Sequence, residues 1–245
     1  WQARAGELEA ALRESTGRLS AARRRAAGAL AAEVSRLLPH LGMPDGVFEV
    51  SLEEVAEMSR HGAEAVEFRV TVNRGFEPRP LAKVASGGEL SRVMLALKTI
   101  LARVDRIPAL VFDEIDAGIG GVVGAKIGEK LAEVSSAHQV FVITHLAQIA
   151  ARADHHLLVT KSSAGERARA VVRGVSGEER VRELARMLGG DPESAASLEH
   201  ARELLAGVER AAESTGEDPT GTGGRRPATP RTRAHDRRRT SSSGN

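Results

Sequence analysis

Leu90, Val93, Met94, Leu97, Leu101 and Val104 recur at helical spacing and predict a helix of about four turns with one buried stripe. A looser three-four spacing runs through Leu8, Leu12, Leu19, Ala22, Ala26, Leu30, Val34, Leu37 and Leu41, and predicts helix over residues 1–41. Arg and Glu fill the positions between. The end of a coiled-coil arm and an ordinary surface helix packed on a domain both fit, while Gly6, Gly17 and Gly28 weaken a long rigid coil. Further helices are expected at Val122–Val134, at Gly177–Gly190 with Val181, Leu184, Ala185 and Leu188 on one face, and at Leu198–Val208. Gly189 and Gly190 stop the second of these.

Strict alternation appears in VFEVSLE (Val47–Glu53) and AVEFRVTVN (Ala65–Asn73), which predicts an antiparallel pair with one wet face. RGFEPRP after them is an extended loop, kept out of helix by two prolines. Ala109–Phe112 and the HQVFVITH segment (His138–His145) are short apolar runs of the kind buried on both faces. HHLLVTK and RARAVVRGV read as two more strands. The alternation of strand and helix predicts an α/β fold with a mostly parallel sheet flanked by helices. The apolar pattern ends near Ala211. The domain plan is therefore a helix over 1–41, a lobe over 42–210 and a disordered basic tail over 211–245, rich in Gly, Ser, Thr, Pro and Arg. That tail could touch nucleic acid by charge or have no specific role.

Composition narrows the classes. Hydrophobic residues make up 41% of the 245, enough for a real core, yet aromatics are only 2%, so the core is aliphatic. The same count argues against a nucleic-acid surface built on stacked aromatics. The net charge of +2 argues against whole-chain electrostatic DNA binding. Cysteine is absent, which removes disulfides and thiolate metal sites and fits a reducing compartment. No apolar run reaches membrane-span length. The chain opens on Trp1, which leads us to expect a piece of a longer protein.

The candidate chemistry sits beside these elements. Ser86, Gly87 and Gly88 precede the patterned helix. A helix start offers unpaired N–H groups and positive dipole, and glycine lets an anion approach, so a phosphate seat is one reading. An ordinary N-cap at Ser86 is the other. In a parallel sheet ligands gather at the strands' carboxyl ends. There, Asp113 and Glu114 follow the first buried strand, and Thr144 and His145 end the second. Paired carboxylates at that position suit a divalent cation and an attacking water in phosphoryl transfer. His155 and His156 lie on a strand and face opposite sides, so a metal site with His145 is poorly supported. Lys83, Arg92, Lys98 and Arg103 form either a basic patch or a solvated helix face. No G-x-S-x-G elbow occurs, so an esterase has no support.

These residues carry a resemblance. ASGGELSR resembles the signature motif of ATP-binding-cassette ATPases, ALVFDEID their Walker B strand and VFVITH their switch-histidine strand. Together, PLAKVASGGELSRVMLALK, LVFDEIDAGIGG, HQVFVITHLAQIAARADHHLLV and GEERVRELARMLGG are similar to the C-terminal half of the RecN family of bacterial DNA repair proteins, relatives of the SMC proteins. The likeness runs from Val47 to Val208, and residues 1–41 match the returning end of that family's coiled-coil arm.

The resemblance implies an ATPase head lobe that uses ATP and Mg²⁺. Glu114 and His145 would be catalytic, with His145 on the γ-phosphate. Asp113 would bind Mg²⁺. Ser86, Gly87, Gly88 and Glu89 would hold ATP bound to a partner subunit. Asp116, Gly118 and Gly120 would form a loop at the interface of a symmetric head dimer. Many relatives in the wider superfamily carry an Asp near Gly120, and this chain does not, which puts cross-talk through that residue in doubt. The partners implied are the N-terminal Walker A half of the same protein, a second head and DNA, in a cytoplasmic protein of the bacterial nucleoid. The loop G-x-x-x-x-G-K-[ST] is missing; in GGVVGAKIG, Ile127 stands where Ser or Thr is needed. This chain alone is expected to be inactive. The rival readings are another SMC-type chromosome-organising head, and a DNA tether that uses ATP for assembly with negligible turnover.

Overall fold

The computed structural model describes residues 1–102, 104–162, 169–189 and 191–215. Arg103 and the segment expected as a tail beyond 215 lie outside the described residues. Residues 1–208 form one compact unit and 209–245 a second, of which only the end of one helix is described.

Helix α1 (Gln2–Leu37) is 36 residues long, about 54 Å at 1.5 Å per residue. Its two ends behave differently. Leu8, Leu12 and Leu19 are exposed, whereas Val34 and Leu37 are buried with Leu38 and Leu41 of the 3-10 turn that follows. Pro39 begins that turn, and Gly42 ends it in the left-handed region at φ 79°, which glycine adopts without penalty. The helix is thus an arm at its start and part of the core at its end.

Strands β1 (Val47–Ser59) and β2 (Gly62–Thr71) pair antiparallel from Val47 opposite Thr71 to Ser59 opposite Gly62, with an irregularity between Glu54 and Ser59. β1 runs six residues past its expected end. α1 explains the extension, because it lies along the hairpin and holds its far end. Ser35 Oγ accepts from Phe48 N at 2.9 Å, Thr16 Oγ1 donates to Met58 Sδ at 3.2 Å, and Arg23 reaches His61 O at 2.7 Å. Arg23 also pairs with Glu64 at 3.1 Å, with the Glu64 side chain only 3% exposed. Hydrogen bonding from Ser20, and then from Arg23, outweighs desolvation and holds the Glu64 carboxyl below its ordinary range. A depressed folded value stabilises the fold above the ordinary carboxylate pKa of about 4.3, and that contribution is lost as pH falls from there through the lowered folded value. Urea midpoints of the wild type and Glu64→Gln should therefore differ near neutrality and converge in acid. A difference that persists in acid would remove the ion pair as the cause.

A two-residue strand, β3 (Arg79–Pro80), pairs with β2. Helix α2 (Gly87–Leu101) follows, then β4 (Ala109–Phe112), α3 (Gly121–Ser135) and β5 (Gln139–Val142). β4 and β5 are parallel, with Leu110 opposite Val140 and Phe112 opposite Val142. One aliphatic core joins α1, α2, α3 and this sheet through Val34, Leu38, Val93, Leu95, Ile115, Ile127 and Val134. A second, smaller core joins α4 (Ala147–Ala150), α5 (Gly177–Met187) and α6 (Ala195–Thr215) through Ala147, Ala150, Val181, Leu184, Ala185 and Ala201. β6 (His156–Ser162) and β7 (Arg169–Val175) form an antiparallel pair.

The expectation of a mostly parallel sheet needs correcting among the described residues. Parallel pairing is confined to β4 and β5; the other two sheets are antiparallel. The face of β4–β5 away from the core also lies open. Register partners Val111 and Phe141 are 68% and 46% exposed, and Ile143 is 60% exposed. The apolar runs that read as buried on both faces are buried on one. No helix among the described residues is long and apolar enough to cross a membrane.

Candidate functional site

The start of α2, the end of β4 and the end of β5 converge at one edge of the molecule. Ser86 is the N-cap of α2, extended at φ −95°, and its Oγ accepts from Glu89 N at 3.3 Å. The capping reading therefore holds, and Ser-x-x-Glu is the spacing of a capping box. Ser86 is partly exposed and Gly87 exposed.

The glycines have a further reason, which lies within the chain. A Cβ on Gly87 would collide with the Glu114 carboxylate. A Cβ on buried Gly88 would lie 2.8 Å from Glu114 O and 2.9 Å from Ala117 Cβ. Their lack of a side chain lets the turn after β4 pack onto the helix start. Two residues the sequence reading did not assign to the site fasten that contact. Ser91 Oγ donates to Asp113 O at 2.7 Å, and Arg92 Nη1 donates to Ala117 O at 3.0 Å and to Ile115 O at 3.4 Å. The signal was present in the spacing: positions 87, 88, 91 and 92 share one helix face.

Arg92 is 5% exposed, so it belongs to neither a basic patch nor a solvated face. Burial lowers its pKa from the ordinary guanidinium value, and the charge of Glu89 opposes that shift. Lys98 is also committed, to Asp105. Its bond to Asp105 is the main reason that carboxyl sits below its ordinary range.

Asp113 and Glu114 leave the end of β4 exposed to solvent. Asp113 Oδ1 accepts from Glu114 N at 2.9 Å. Glu114 adopts φ 55°, the one positive-φ non-glycine residue among the described residues. Such a conformation is strained for an L-residue and is held here by the surrounding packing. Glu114 O then accepts from Ala117 N at 2.9 Å, closing a turn. Gly118, at φ 73°, and Gly120, the N-cap of α3, are exposed and fit an outward-facing loop.

Asp116 does not face outward with them. It is 4% exposed, and its Oδ2 accepts from Thr144 Oγ1 at 2.5 Å and from His145 N at 2.7 Å. The same oxygen lies 2.9 Å from His145 Nδ1. Its side chain turns inward, where the end of β5 supplies two donors and sets the His145 ring beside it. His145 itself is 71% exposed at its side chain. Leu146 N donates to Thr144 Oγ1 at 3.0 Å, and the chain enters α4.

Two devices fix this segment. Gly121, Gly124 and Gly128 of α3 offer no Cβ where Gln148, Leu146 and Arg152 approach. Arg180 of α5 donates to Ala151 O at 2.9 Å and Ala153 O at 2.7 Å, closing the end of α4. Among the described residues no group of three His, Cys, Asp or Glu could hold a metal unaided. His155 and His156 thus do not join His145 in a site. One exposed carboxylate does suit Mg²⁺, which keeps several waters and binds through one or two carboxylates plus substrate phosphates. Asp113 fits that demand.

No protein-family model matches the chain. It is 51% identical over 178 residues to the DNA repair protein RecN of Treponema pallidum, covering 70% of this chain and 31% of that protein. It is 47% identical over 206 residues to RecN of Deinococcus radiodurans, covering 84% and 36%. The chain spans about a third of the length of these relatives. The Smc head domain with a coiled coil and joint from Pyrococcus yayanosii superposes with a TM-score of 0.54 at 23% identity, over 76% of this chain and 34% of that one. The fold is that of the C-terminal lobe of such a head, with α1 as its arm.

Proposed function

Because the chain belongs to the RecN family of DNA repair proteins, we propose that it is the C-terminal lobe of an ATPase head acting in recombinational repair of DNA double-strand breaks. The observation that carries this reading is the single edge on which Asp113, Glu114 and His145 stand at the ends of adjacent parallel strands, with the start of α2 fastened beside them. Asp113 would hold Mg²⁺, which supplies charge neutralisation on the phosphates of ATP. Glu114 orients and deprotonates the attacking water. His145 meets the γ-phosphate. Ser86, Gly87 and the first turn of α2, which includes Glu89, meet the γ-phosphate of ATP bound to a second head, through the Ser86 hydroxyl and helix N–H groups.

The α- and β-phosphates need a Walker A loop, and this chain has none. We place it in the N-terminal half of the same protein, packed on the open face of Val111, Phe141 and Ile143. The exposure of those three apolar residues and the two-thirds of the relatives' length outside this chain support the placement. Alone, the chain is inactive. DNA is the substrate that the head pair holds in the nucleoid.

Light scattering on the full-length protein tests the shared site. With Glu114→Gln to block hydrolysis, ATP should convert monomer to dimer, and adding Ser86→Arg should prevent it. A mass indifferent to ATP, in a protein that binds ATP, would sink the shared site.

A further inference from the structure

We propose that Asp116 is a positioning residue that fixes the tautomer and orientation of His145, making Nδ1 the protonated ring nitrogen and leaving Nε2 as the one that meets a ligand. The inference rests on the reading of His145 given above, but its geometry stands independently. Asp116 is buried, yet its Oδ2 gathers three groups from a single stretch of chain: the Thr144 hydroxyl at 2.5 Å, the His145 amide at 2.7 Å and the His145 ring at 2.9 Å.

Donor accounting fixes the proton. The Thr144 hydroxyl accepts from Leu146 N, so its own hydrogen is free to go to Asp116. The His145 amide can only donate. An oxygen that receives both is a carboxylate acceptor, and the ring nitrogen beside it must then carry hydrogen. A free imidazole favours hydrogen on Nε2, so Asp116 reverses the intrinsic preference. The ring remains 71% exposed, which leaves Nε2 open to solvent or ligand. When the ring carries a second proton, that proton can only be on Nε2, where it donates to an anionic oxygen. The same logic orients metal-bound and catalytic histidines through a second partner.

The contact also couples two loops. Asp116 immediately precedes the stretch that holds exposed Gly118 and Gly120, and Thr144 and His145 lead into α4. A ligand that pulls on His145 therefore pulls on the loop after β4 through one carboxylate.

The test reads the ring itself. Two-bond ¹⁵N–¹H correlation spectra of this chain, recorded above the imidazole titration, report the tautomer of each of its 8 histidines. The His145 signal is assigned by its loss in His145→Gln. The expected result is the Nδ1–H pattern in the wild type and the ordinary Nε2–H pattern in Asp116→Ala, with the backbone amide spectrum otherwise preserved. An Nε2–H pattern in the wild type would overturn the proposal without any Asp116 variant, so a poorly folding Asp116→Ala cannot protect it. In the full-length protein, Asp116→Ala should lower ATP turnover by ~10–100-fold, and His145→Ala should add little to that loss. Fully additive losses, or a lower rate with the tautomer unchanged, would reduce Asp116 to a structural residue. Absence of turnover in the wild type would count against the ATPase reading and leave the tautomer result standing.

Discussion

Glu114→Gln in the full-length protein should lower ATP turnover by ~10²–10⁴-fold, the usual contribution of a positioned acid–base group. Gln has the shape of Glu and cannot take a proton from water. The turn that presents it should survive, because φ 55° is imposed by what surrounds the residue. Arg92 holds Ala117 O and Ile115 O from one side, and Ser91 holds Asp113 O from the other. ATP-dependent association should therefore persist while hydrolysis stops. Initial rates of phosphate release, with association followed in parallel, make the check. Turnover within a few-fold of wild type would remove Glu114 from the chemistry.

Gly88→Ala should destabilise the chain by about 1–3 kcal/mol, although the substitution improves helix propensity. Two effects compete. Replacing a helical glycine with Ala is worth about 0.5–1 kcal/mol in its favour. Against it, the new methyl would lie 2.8 Å from Glu114 O and 2.9 Å from Ala117 Cβ, both on a turn pinned by Arg92 and Ser91. That turn cannot yield without moving Glu114, so the steric cost wins. Gly17→Ala, within α1 and with open space around its missing Cβ, provides the opposite sign. It should stabilise by about 0.5–1 kcal/mol. Urea melts of both variants decide the matter. A neutral Gly88→Ala would mean that the start of α2 does not depend on the close approach of the Glu114 turn.

Much of the fold was legible because its rules are local. The patterned stretch that became α2 begins at its Ser-Gly-Gly cap. β4 was read at its observed bounds, Ala109–Phe112, and α3 within a residue at either end. The carboxylates and the histidine were placed correctly at the strand ends, since strand polarity and sequence order alone decide that. The antiparallel pairing of β1 with β2 was read correctly; what failed was the length of β1 and the cover of the β4–β5 sheet. β1 was expected to stop at Glu53 because its alternation fades; it continues to Ser59 because α1 supports the far end through Thr16 and Arg23. The runs Ala109–Phe112 and His138–His145 read as doubly buried, and only one face found a cover.

The site divides in the same way. The sequence by itself determined where the candidate groups stand along the chain: Asp113, Glu114, His145 and the capped start of α2. Their identities and order are one-dimensional facts. Only the tertiary structure decided that Gly88 serves the packing of a turn, that Arg92 is buried beneath it, and that Asp116 faces His145 instead of the open loop. Asp116 and His145 are far apart in the chain, and hydrogen bonding between them depends on the parallel pairing of β4 with β5. The alternation of strand and helix pointed to the parallel pairing itself, but which side chains meet across it follows from how the whole core packs.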